Sequence, residues 1–291
     1  MDLGGTKIAA ARVSSSGDIL ARAHCATPAQ EGAEKILDAV AGLVAQLHDD
    51  SVQGIGMGSA GVIDPARGVV ISALDTLRGW TGTDIAGGLR ARTGIERVRV
   101  VNDVHAHARG EAWLGAAQGR DSVLVIAVGT GIGGCWLRAG QAHIGAHCVA
   151  GHFGELQVPH NLGGDARLEA VAAGPAILRH YQRLGGRAEV ADTRAVFAAY
   201  GTDNVATRVL DNASHALGVA LAGLANAVDP DIIVYGGGLA DVEAWWWDDV
   251  RASYRMAVLP PLREVALIKA TLGTDAALLG AASLLGEEEI C

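Results

Sequence analysis

The chain has 291 residues with a formal net charge of −9, and half of its residues are hydrophobic. This length allows one large domain or two ordinary domains with a sizeable core, and the acidic balance disfavours a nucleic-acid partner, which usually needs a basic face. The four cysteines show neither zinc nor disulfide spacing, and no apolar run is long enough to cross a bilayer. We therefore expect a cytoplasmic protein with no membrane partner.

The first half of the chain shows strand patterns followed by helical patterns. The segment DLGGTK begins at Asp2, and we expect a hairpin that turns at Gly4-Gly5 and continues into KIAAARVS. Apolar residues at helical spacing predict a helix between Gly32 and His48. The other elements expected in this half are strands at ILARAHC (19–25), 52–58 and 98–101, a loop at SAGVIDPARG (59–68) and helices at 80–92 and 104–118.

The second half repeats this alternation. SVLVIAV (122–128) predicts a buried strand, and CWLRAGQ (135–141) alternates like a second strand. Later elements are helices at 166–184, 193–199, 203–228 and 240–257, a strand in DIIVYGGG, a strand in EVALIKATL and a helix in DAALLGAASLLG. Strands followed by helices, twice over, predict two α/β lobes at 1–105 and 106–274. We expect the C-terminal helix, about 275–291, to pack back on the first lobe.

GTGIGG, from Gly129 to Gly134, is a candidate phosphate-binding turn because it follows a strand. Its letters also fit the G-x-G-x-x-G pattern of dinucleotide sites, but such a site requires a helix next, and CWLRAGQ lacks helical periodicity. A structural hairpin without a ligand is the other alternative. We favour a hairpin whose backbone N–H groups and Thr130 hydroxyl bind phosphate oxygens.

DLGGTK is a second candidate turn, although Gly-Gly turns are common. An acid, Asp2, precedes the glycine pair, and Thr6 and Lys7 follow it. We expect Asp2 to hold Mg²⁺ through water while Thr6 and Lys7 reach a phosphoryl group.

Asn102 and Asp103 follow the strand VRVV. A carboxylate within hydrogen-bonding distance of a hydroxyl accepts its proton as a phosphoryl group arrives, so Asp103 is a candidate general base. The alternative is that Asp103 is the N-cap of the helix that starts near Val104. Asn102 is compatible with both interpretations.

These motifs, with AGHFGE, DPDIIVYGGG and DAALLGAA, occur in the order typical of the ROK family of repressors and sugar kinases. The chain resembles that family over essentially its whole length. The resemblance implies an α/β protein with the two-lobed actin-like ATPase (ribonuclease H-like) fold, and ATP and a sugar bound between the lobes.

The resemblance also implies roles for particular residues, with Asp103 as the catalytic base. The implied substrate-binding residues are Gly61, Asn102, Asp103, His152, Glu155 and Glu169. The implied nucleotide-binding residues are Asp2, Gly4, Gly5, Thr6, Lys7, Gly129, Thr130, Gly131, Gly133, Gly236, Gly237 and Gly238.

Two departures from the family pattern bear on metal and substrate. Many members carry GEIGH before a cysteine-rich zinc loop, whereas here His152 replaces the Glu and Glu155 replaces the zinc-ligand His. Since no cysteine lies between Cys148 and Glu169, we expect no structural zinc. The change at His152 resembles N-acetylmannosamine kinases more than glucokinases. Thr76, in TLRGW, replaces the Asn of the family's sugar loop.

The implied function is an ATP- and Mg²⁺-dependent kinase for the 6-hydroxyl of a hexose or N-acetylhexosamine, with N-acetylmannosamine slightly favoured over glucose. A non-catalytic sugar-sensing regulator of the family is the alternative, and a dinucleotide-dependent oxidoreductase is a third hypothesis. We expect the sugar, ATP and a second copy of the chain in a homodimer as partners. Three adjacent tryptophans, Trp245–Trp247, are expected to serve the core and a subunit interface.

Overall fold

The computed structural model describes residues 1–73 and 76–286. Its strands are β1 (Asp2–Leu3), β2 (Lys7–Val13), β3 (Ile19–Ala26), β4 (Ile55–Ser59), β5 (Val62–Asp64), β6 (Val69–Ser72), β7 (Val98–Asn102), β8 (Ser122–Val128), β9 (Ile132–Arg138), β10 (Gln141–Ala142), β11 (Ile232–Gly236) and β12 (Ala266–Lys269). Its helices are α1 (Ala33–Leu47), α2 (Ile85–Thr93), α3 (Asp103–Leu114), α4 (Leu168–Ala172), α5 (Gly174–Arg183), α6 (Thr193–Ala198), α7 (Asn204–Val228), α8 (Ala244–Ala257) and α9 (Ala276–Ser283).

The chain forms two compact units. Unit 1 comprises residues 1–119, 140–150 and the chain from Thr271 onward, and unit 2 comprises residues 120–139 and 151–270. The boundary that we expected after residue 105 therefore differs from the observed division, because α3 belongs to unit 1. Residues 287–291, which the expected C-terminal helix included, lie outside the described residues.

The sheet of unit 1 has the strand order β3-β2-β1-β4-β7. β1 is antiparallel to β2 and parallel to β4, and β4 is parallel to β7. The last residues of these parallel strands are paired in one row, Leu3 with Ser59 and Ser59 with Asn102. Residues that follow β1, β4 and β7 therefore lie along one edge of the sheet.

Helices α3 and α9 pack together in unit 1 through glycines. A Cβ atom at Gly280 would lie 1.7 Å from the carbonyl oxygen of Ala106, and one at Gly110 would lie 2.0 Å from that of Ala276. No side chain fits at either position, so the two backbones approach more closely than other residues permit. This contact explains why α3 is part of the same unit as α9.

The sheet core of unit 2 has the order β9-β8-β11-β12. β8 is antiparallel to β9 and parallel to β11, which is parallel to β12. Since β2-β1-β4-β7 has the same order and directions in unit 1, the two units share one topology. The strand β9 after GTGIGG confirms the expected hairpin, and it stands where a dinucleotide site requires a helix.

The three tryptophans lie at the start of α8 in unit 2. Trp246 and Trp247 are buried, and their indole N–H groups donate to the carbonyl oxygens of Leu210 (3.3 Å) and Leu239 (2.9 Å). Trp245 stacks on Tyr200 with ring centroids 3.7 Å apart. The expected core role of this cluster is confirmed, whereas the subunit interface stays a prediction.

Several local expectations differ from the structure. The segment SAGVIDPARG, expected as a loop, contains β5 and the turn that leads to β6, and the Asp64 carboxylate closes this turn by accepting the Ala66 N–H (3.1 Å). Helix α2 begins at Ile85, after Asp84 as its N-cap. The expected helix at 166–184 is two helices, because Pro175 fits the first turn of α5 but has no N–H with which to continue α4. Within the described ranges, no helix has the length and apolarity needed to cross a membrane.

Candidate active site

Asn102 and Asp103 lie where β7 ends and α3 begins. The Asn102 side chain is the helix N-cap, since its Oδ1 accepts the Val104 N–H (3.0 Å), and its Nδ2 donates to the carbonyl oxygen of Gly61 (2.9 Å). Asp103 is the first residue of α3, and its Oδ1 lies 2.9 Å from the same Val104 N–H. The cap role that competed for Asp103 in the sequence therefore belongs mainly to Asn102. The structure brings Gly61, Asn102 and Asp103 together.

The environment of Asp103 favours its protonated form. Burial, followed by the nearby Asp2 carboxylate, raises the pKa of Asp103 to about 6, against the hydrogen bonds from backbone N–H groups and Asn102. Such a carboxylate is mostly ionised at neutral pH, and it is a stronger proton acceptor than an ordinary aspartate. This is the property that a general base needs.

The DLGGTK turn connects β1 to β2 along the same sheet edge. The Gly4 N–H donates to the carbonyl oxygen of Lys7 (3.0 Å), and the Thr27 hydroxyl donates to that of Gly4 (2.8 Å). Gly5, Thr6 and Lys7 are exposed at the tip. The supporting role of Thr27 was missed in the sequence, because nothing near Thr27 identifies its distant partner.

Asp2 lies at the base of this turn and is half-buried. Burial raises the pKa of Asp2, and the Met1 ammonium, His107 and Lys7 oppose that rise. Asp2 and Asp103 are therefore two coupled carboxylates on one edge of the unit 1 sheet, although the sequence separates them widely.

In unit 2 the two glycine turns lie against each other. The Gly129 N–H donates to the carbonyl oxygen of Gly131 (2.9 Å), which makes a tight turn with Thr130 exposed at its tip. Gly237 has φ of 84°, and a Cβ there would lie 2.5 Å from the carbonyl oxygen of Val128. A Cβ at Gly129 would lie 3.2 Å from the Gly238 nitrogen. The two turns therefore form one surface of main-chain groups, with Gly133 in β9 and Gly236 at the end of β11.

Glu169, in α4, lies directly behind the first of these turns. Its Oε2 accepts the Ile132 N–H (2.8 Å), and a Cβ at Gly131 would lie 2.7 Å from that oxygen. Glu169 therefore supports the GTGIGG hairpin, and its expected contact with substrate stays a prediction. The sequence contained no signal for the bond between Glu169 and Ile132.

His152 and Glu155 lie in unit 2, in the segment that begins beside β9. The Gly134 N–H donates to the carbonyl oxygen of Gly151 (2.7 Å), which ties the start of this loop to β9. His152 and Glu155 are both exposed, and the Glu155 carboxylate forms an ion pair with Arg167 (3.3 Å). The sequence did not predict that Glu155 would pair with Arg167.

The next question is whether side chains of this chain are arranged to bind zinc or Mg²⁺. Among residues 1–73 and 76–286, no group of three or more His, Cys, Asp or Glu side chains is arranged to hold a metal ion. Glu155 and Asp165 both bind Arg167, and His160 bonds the carbonyl oxygen of Gly163. The absence of zinc stays a prediction. The half-buried Asp2 carboxylate fits Mg²⁺, since Mg²⁺ is usually held by one or two carboxylates together with water and substrate phosphates.

The chain belongs to the ROK family, because a domain of that family matches residues 1–288. The glucokinase of Thermotoga maritima is 30% identical, over 99% of this chain and 96% of that protein. The N-acetylmannosamine kinase of Shigella boydii is 29% identical, over 100% of this chain and 98% of that protein. A solved ROK family glucokinase from Streptomyces griseus, in complex with glucose and AMPPNP, is 32% identical with a TM-score of 0.79, over 97% of both chains. The predicted family and actin-like ATPase fold are confirmed.

Proposed function

We propose that this protein is an ATP- and Mg²⁺-dependent sugar kinase that phosphorylates the 6-hydroxyl of a hexose or an N-acetylhexosamine. The observation that carries the proposal is Asp103, a carboxylate with a pKa of about 6 beside Asn102 and the DLGGTK turn. A sugar hydroxyl is a poor nucleophile, so a carboxylate must accept its proton as the phosphoryl group arrives.

Each remaining residue has a task that follows from its position. Asn102 has its amide committed to Gly61, so it orders the sugar side of the site and fixes the start of α3. Lys7 and Thr6, exposed at a turn, supply a cation and a hydroxyl for phosphate oxygens. Asp2 would hold Mg²⁺ through water, and the ion would neutralise charge on the phosphates.

The turns of unit 2 suit the nucleotide. Main-chain N–H groups at Thr130 and Gly131 bind phosphate oxygens without needing a positive net charge, which agrees with a chain of −9. Glycine at position 237 lets the turn at 236–238 lie directly against the backbone of Val128, where the Cβ of any other residue would collide with the Val128 carbonyl oxygen. The glucokinase relative solved with AMPPNP supports a nucleoside triphosphate as the phosphoryl donor.

We place N-acetylmannosamine slightly ahead of glucose because His152 stands where many family members have Glu. An imidazole can donate a hydrogen bond that a carboxylate cannot, and this changes recognition of the sugar. Overall similarity does not separate the two sugars, since the named glucokinase and N-acetylmannosamine kinase relatives are 30% and 29% identical. The regulator alternative is not favoured, because these full-length relatives are kinases by name.

The decisive test is ADP release measured by a coupled assay with a panel of glucose, mannose, allose, N-acetylglucosamine and N-acetylmannosamine. We expect turnover that requires both sugar and Mg²⁺, with the largest kcat/KM for N-acetylmannosamine. The 6-deoxy derivative of the best sugar is the matched control, and it should bind without releasing ADP. Sugar binding without ADP release across the whole panel would contradict the proposal and favour a sensor.

A further inference from the structure

The junction between α4 and α5 contacts both ends of the GTGIGG turn in unit 2. At one end, the N–H of Gly174, the first residue of α5, donates to the carbonyl oxygen of Gly129 (2.8 Å). At the other end, the Glu169 carboxylate of α4 accepts the Ile132 N–H (2.8 Å). The position of residues 169–174 therefore sets the shape of the turn that we propose binds the nucleotide.

This arrangement leaves one carbonyl group of α4 without its helical donor. In an α-helix the N–H of residue 174 would donate to the carbonyl oxygen of residue 170, but the Gly174 N–H is committed to Gly129. His180 of α5 supplies the missing donor, since its Nε2 lies 3.0 Å from the Ala170 carbonyl oxygen. A carbonyl group that is withdrawn from water needs such a donor, so this bond stabilises the end of α4.

The second ring nitrogen of His180 shows which tautomer the ring adopts. The Ala170 carbonyl oxygen can only accept, so Nε2 carries a hydrogen. The Nδ1 lies 2.9 Å from Arg183 Nη2, and a guanidinium nitrogen can only donate, so Nδ1 accepts and carries no hydrogen. Burial lowers the pKa of His180, opposed by the bond to Ala170, and the charges of Arg183, His160 and Arg179 lower it further. The ring is therefore neutral at pH 7, and both of its nitrogens are used.

Arg183 also connects the ring to the segment that precedes α4. Its Nη2 has two hydrogens, which are shared between the His180 ring and the carbonyl oxygens of Leu162 (2.8 Å) and Gly163 (2.7 Å). The other side of the ring is backed by His160, with ring centroids 5.1 Å apart, and His160 Nε2 lies 3.0 Å from the same Gly163 oxygen. The His180 ring thus cannot turn without breaking several of these bonds.

We propose that His180 is a positioning residue for the GTGIGG turn, which it holds in place through the Ala170 carbonyl and the junction of α4 and α5. It acts through α4 and not by contact with the nucleotide: its ring holds Ala170, and the adjacent Glu169 holds Ile132. This inference rests on the proposed function, because it takes the GTGIGG turn as the site of the nucleotide phosphates.

The test compares the parent with three variants of the whole chain. His180→Phe keeps a planar ring but cannot donate to Ala170, whereas His180→Gln keeps an N–H at the position of Nε2 and does not titrate. Tyr254→Phe is the matched control, because it also removes one hydrogen bond to a carbonyl oxygen of unit 2, that of Leu262 (2.9 Å), but on α8.

Hydrogen exchange of the Ile132 and Gly174 amides reports on the turn without any nucleotide. We expect His180→Phe to speed exchange at both amides about fivefold, which corresponds to one net hydrogen bond. His180→Gln and Tyr254→Phe should stay within about twofold of the parent. The exchange is measured under conditions where these amides open locally rather than by global unfolding.

The dissociation constant for AMPPNP should follow the same order. We expect it to rise about fivefold in His180→Phe and to stay within about twofold of the parent in the other two variants. The dissociation constant for N-acetylmannosamine should not change in any of them, because the turn binds the nucleotide. An imidazole ¹⁵N spectrum of the parent should show a neutral His180 ring with its hydrogen on Nε2.

Four results would overturn the inference: equal exchange in the parent and His180→Phe, no rescue by His180→Gln, an equal effect of Tyr254→Phe at the two amides, or a charged or Nδ1–H ring for His180. Faster exchange with an unchanged AMPPNP dissociation constant would also overturn it. If AMPPNP binds to none of the four proteins, the proposed function fails, while the exchange of Ile132 and Gly174 still decides whether His180 holds the turn.

Discussion

Unit 1 and unit 2 have the same central strand order but contribute different chemistry. Unit 1 brings charged side chains to its sheet edge, with Asp2, Lys7 and Asp103 near the ends of β1 and β7. Unit 2 brings main-chain groups, because its two turns consist mostly of glycine, and Glu169 supports the GTGIGG turn from behind. A substitution in unit 1 can remove a functional charge directly. A substitution in unit 2 can only shift the main-chain groups of the turns. Sensitivity to mutation should differ accordingly.

The packing of the two units differs in the same sense. In unit 1, α3 and α9 approach so closely that only glycine fits at 110 and 280. In unit 2, α8 is packed through large rings, including the buried Trp246 and Trp247. A shared strand order therefore does not require a shared way of filling the space above the sheet.

The largest expected effect comes from removing the charge in unit 1. Asp103→Asn should lower kcat by about 10²–10⁴-fold, because the amide cannot accept the sugar proton. The native environment already disfavours the ionised carboxylate, so the substitution should not lower the melting temperature at pH 7. Coupled ADP release and thermal unfolding check the two parts.

The control for this variant is Asp84→Asn. Asp84 is another aspartate at a helix N-terminus in unit 1, and its carboxylate accepts the Gly87 N–H (2.8 Å). Asparagine caps helices about as well as aspartate, so kcat should stay within about twofold. Unchanged turnover in Asp103→Asn would remove Asp103 as the general base.

The next effect tests the glycine packing of unit 1. Gly280→Ala should destabilise the protein by about 3 kcal/mol or more, since its Cβ would lie 1.7 Å from the carbonyl oxygen of Ala106. Gly42→Ala, in α1 with no atom within 4 Å of the added Cβ, should stabilise it by about 0.5–1 kcal/mol. Denaturant unfolding measures both, and similar midpoints for the two variants would show that α3 and α9 separate at little cost.

A smaller effect tests the support behind the GTGIGG turn of unit 2, which we propose binds the nucleotide. Glu169→Ala removes the acceptor of the Ile132 N–H, so the KM for ATP should rise about tenfold. Glu169→Gln keeps an acceptor of the same shape, so its KM for ATP should stay close to that of the parent. Glu189→Ala, an exposed acid of the same unit, is the control. If the KM for sugar rises in the Gln variant while that for ATP does not change, Glu169 contacts the sugar.

The smallest effect is the pH dependence of kcat/KM that follows from Asp103, the proposed base in unit 1. A base acts only when ionised, so the raised pKa of Asp103 should make kcat/KM fall about tenfold per pH unit below pH 6, with a plateau above about pH 7. Asp2→Asn removes a like charge, which should lower the pKa of Asp103 and move the acid limb to lower pH. The profile is measured at constant ionic strength and saturating Mg²⁺, and a parent limb near pH 4 would contradict the assignment.

The elements that sequence predicted well depend on neighbouring residues. The hairpin at GTGIGG, the strand-to-helix junction at Asn102-Asp103 and the helix α1 each follow from turn chemistry or periodicity within about a dozen residues. The confirmed family adds their order along the chain. Boundaries were less accurate, as at Pro175, where one expected helix became α4 and α5.

The expectations that differed from the structure involve distant partners. The boundary after residue 105 separated α3 from α9, although Ala106 and Gly280 are in close contact. The Glu169 carboxylate accepts the Ile132 N–H, a contact that the sequence did not indicate, while its expected contact with substrate stays a prediction. No periodicity records which distant backbone group a side chain will meet.

Sequence alone determined which segments are strands, which turns contain glycine and where an acid follows a buried strand, because these properties come from residues close together in the chain. Only the tertiary structure decided that Asp2 lies near enough to Asp103 to raise its pKa, and that α9 packs closely on α3. The physical reason is that strand pairing and helix packing join residues far apart in sequence, and their distances exist only after the chain has folded.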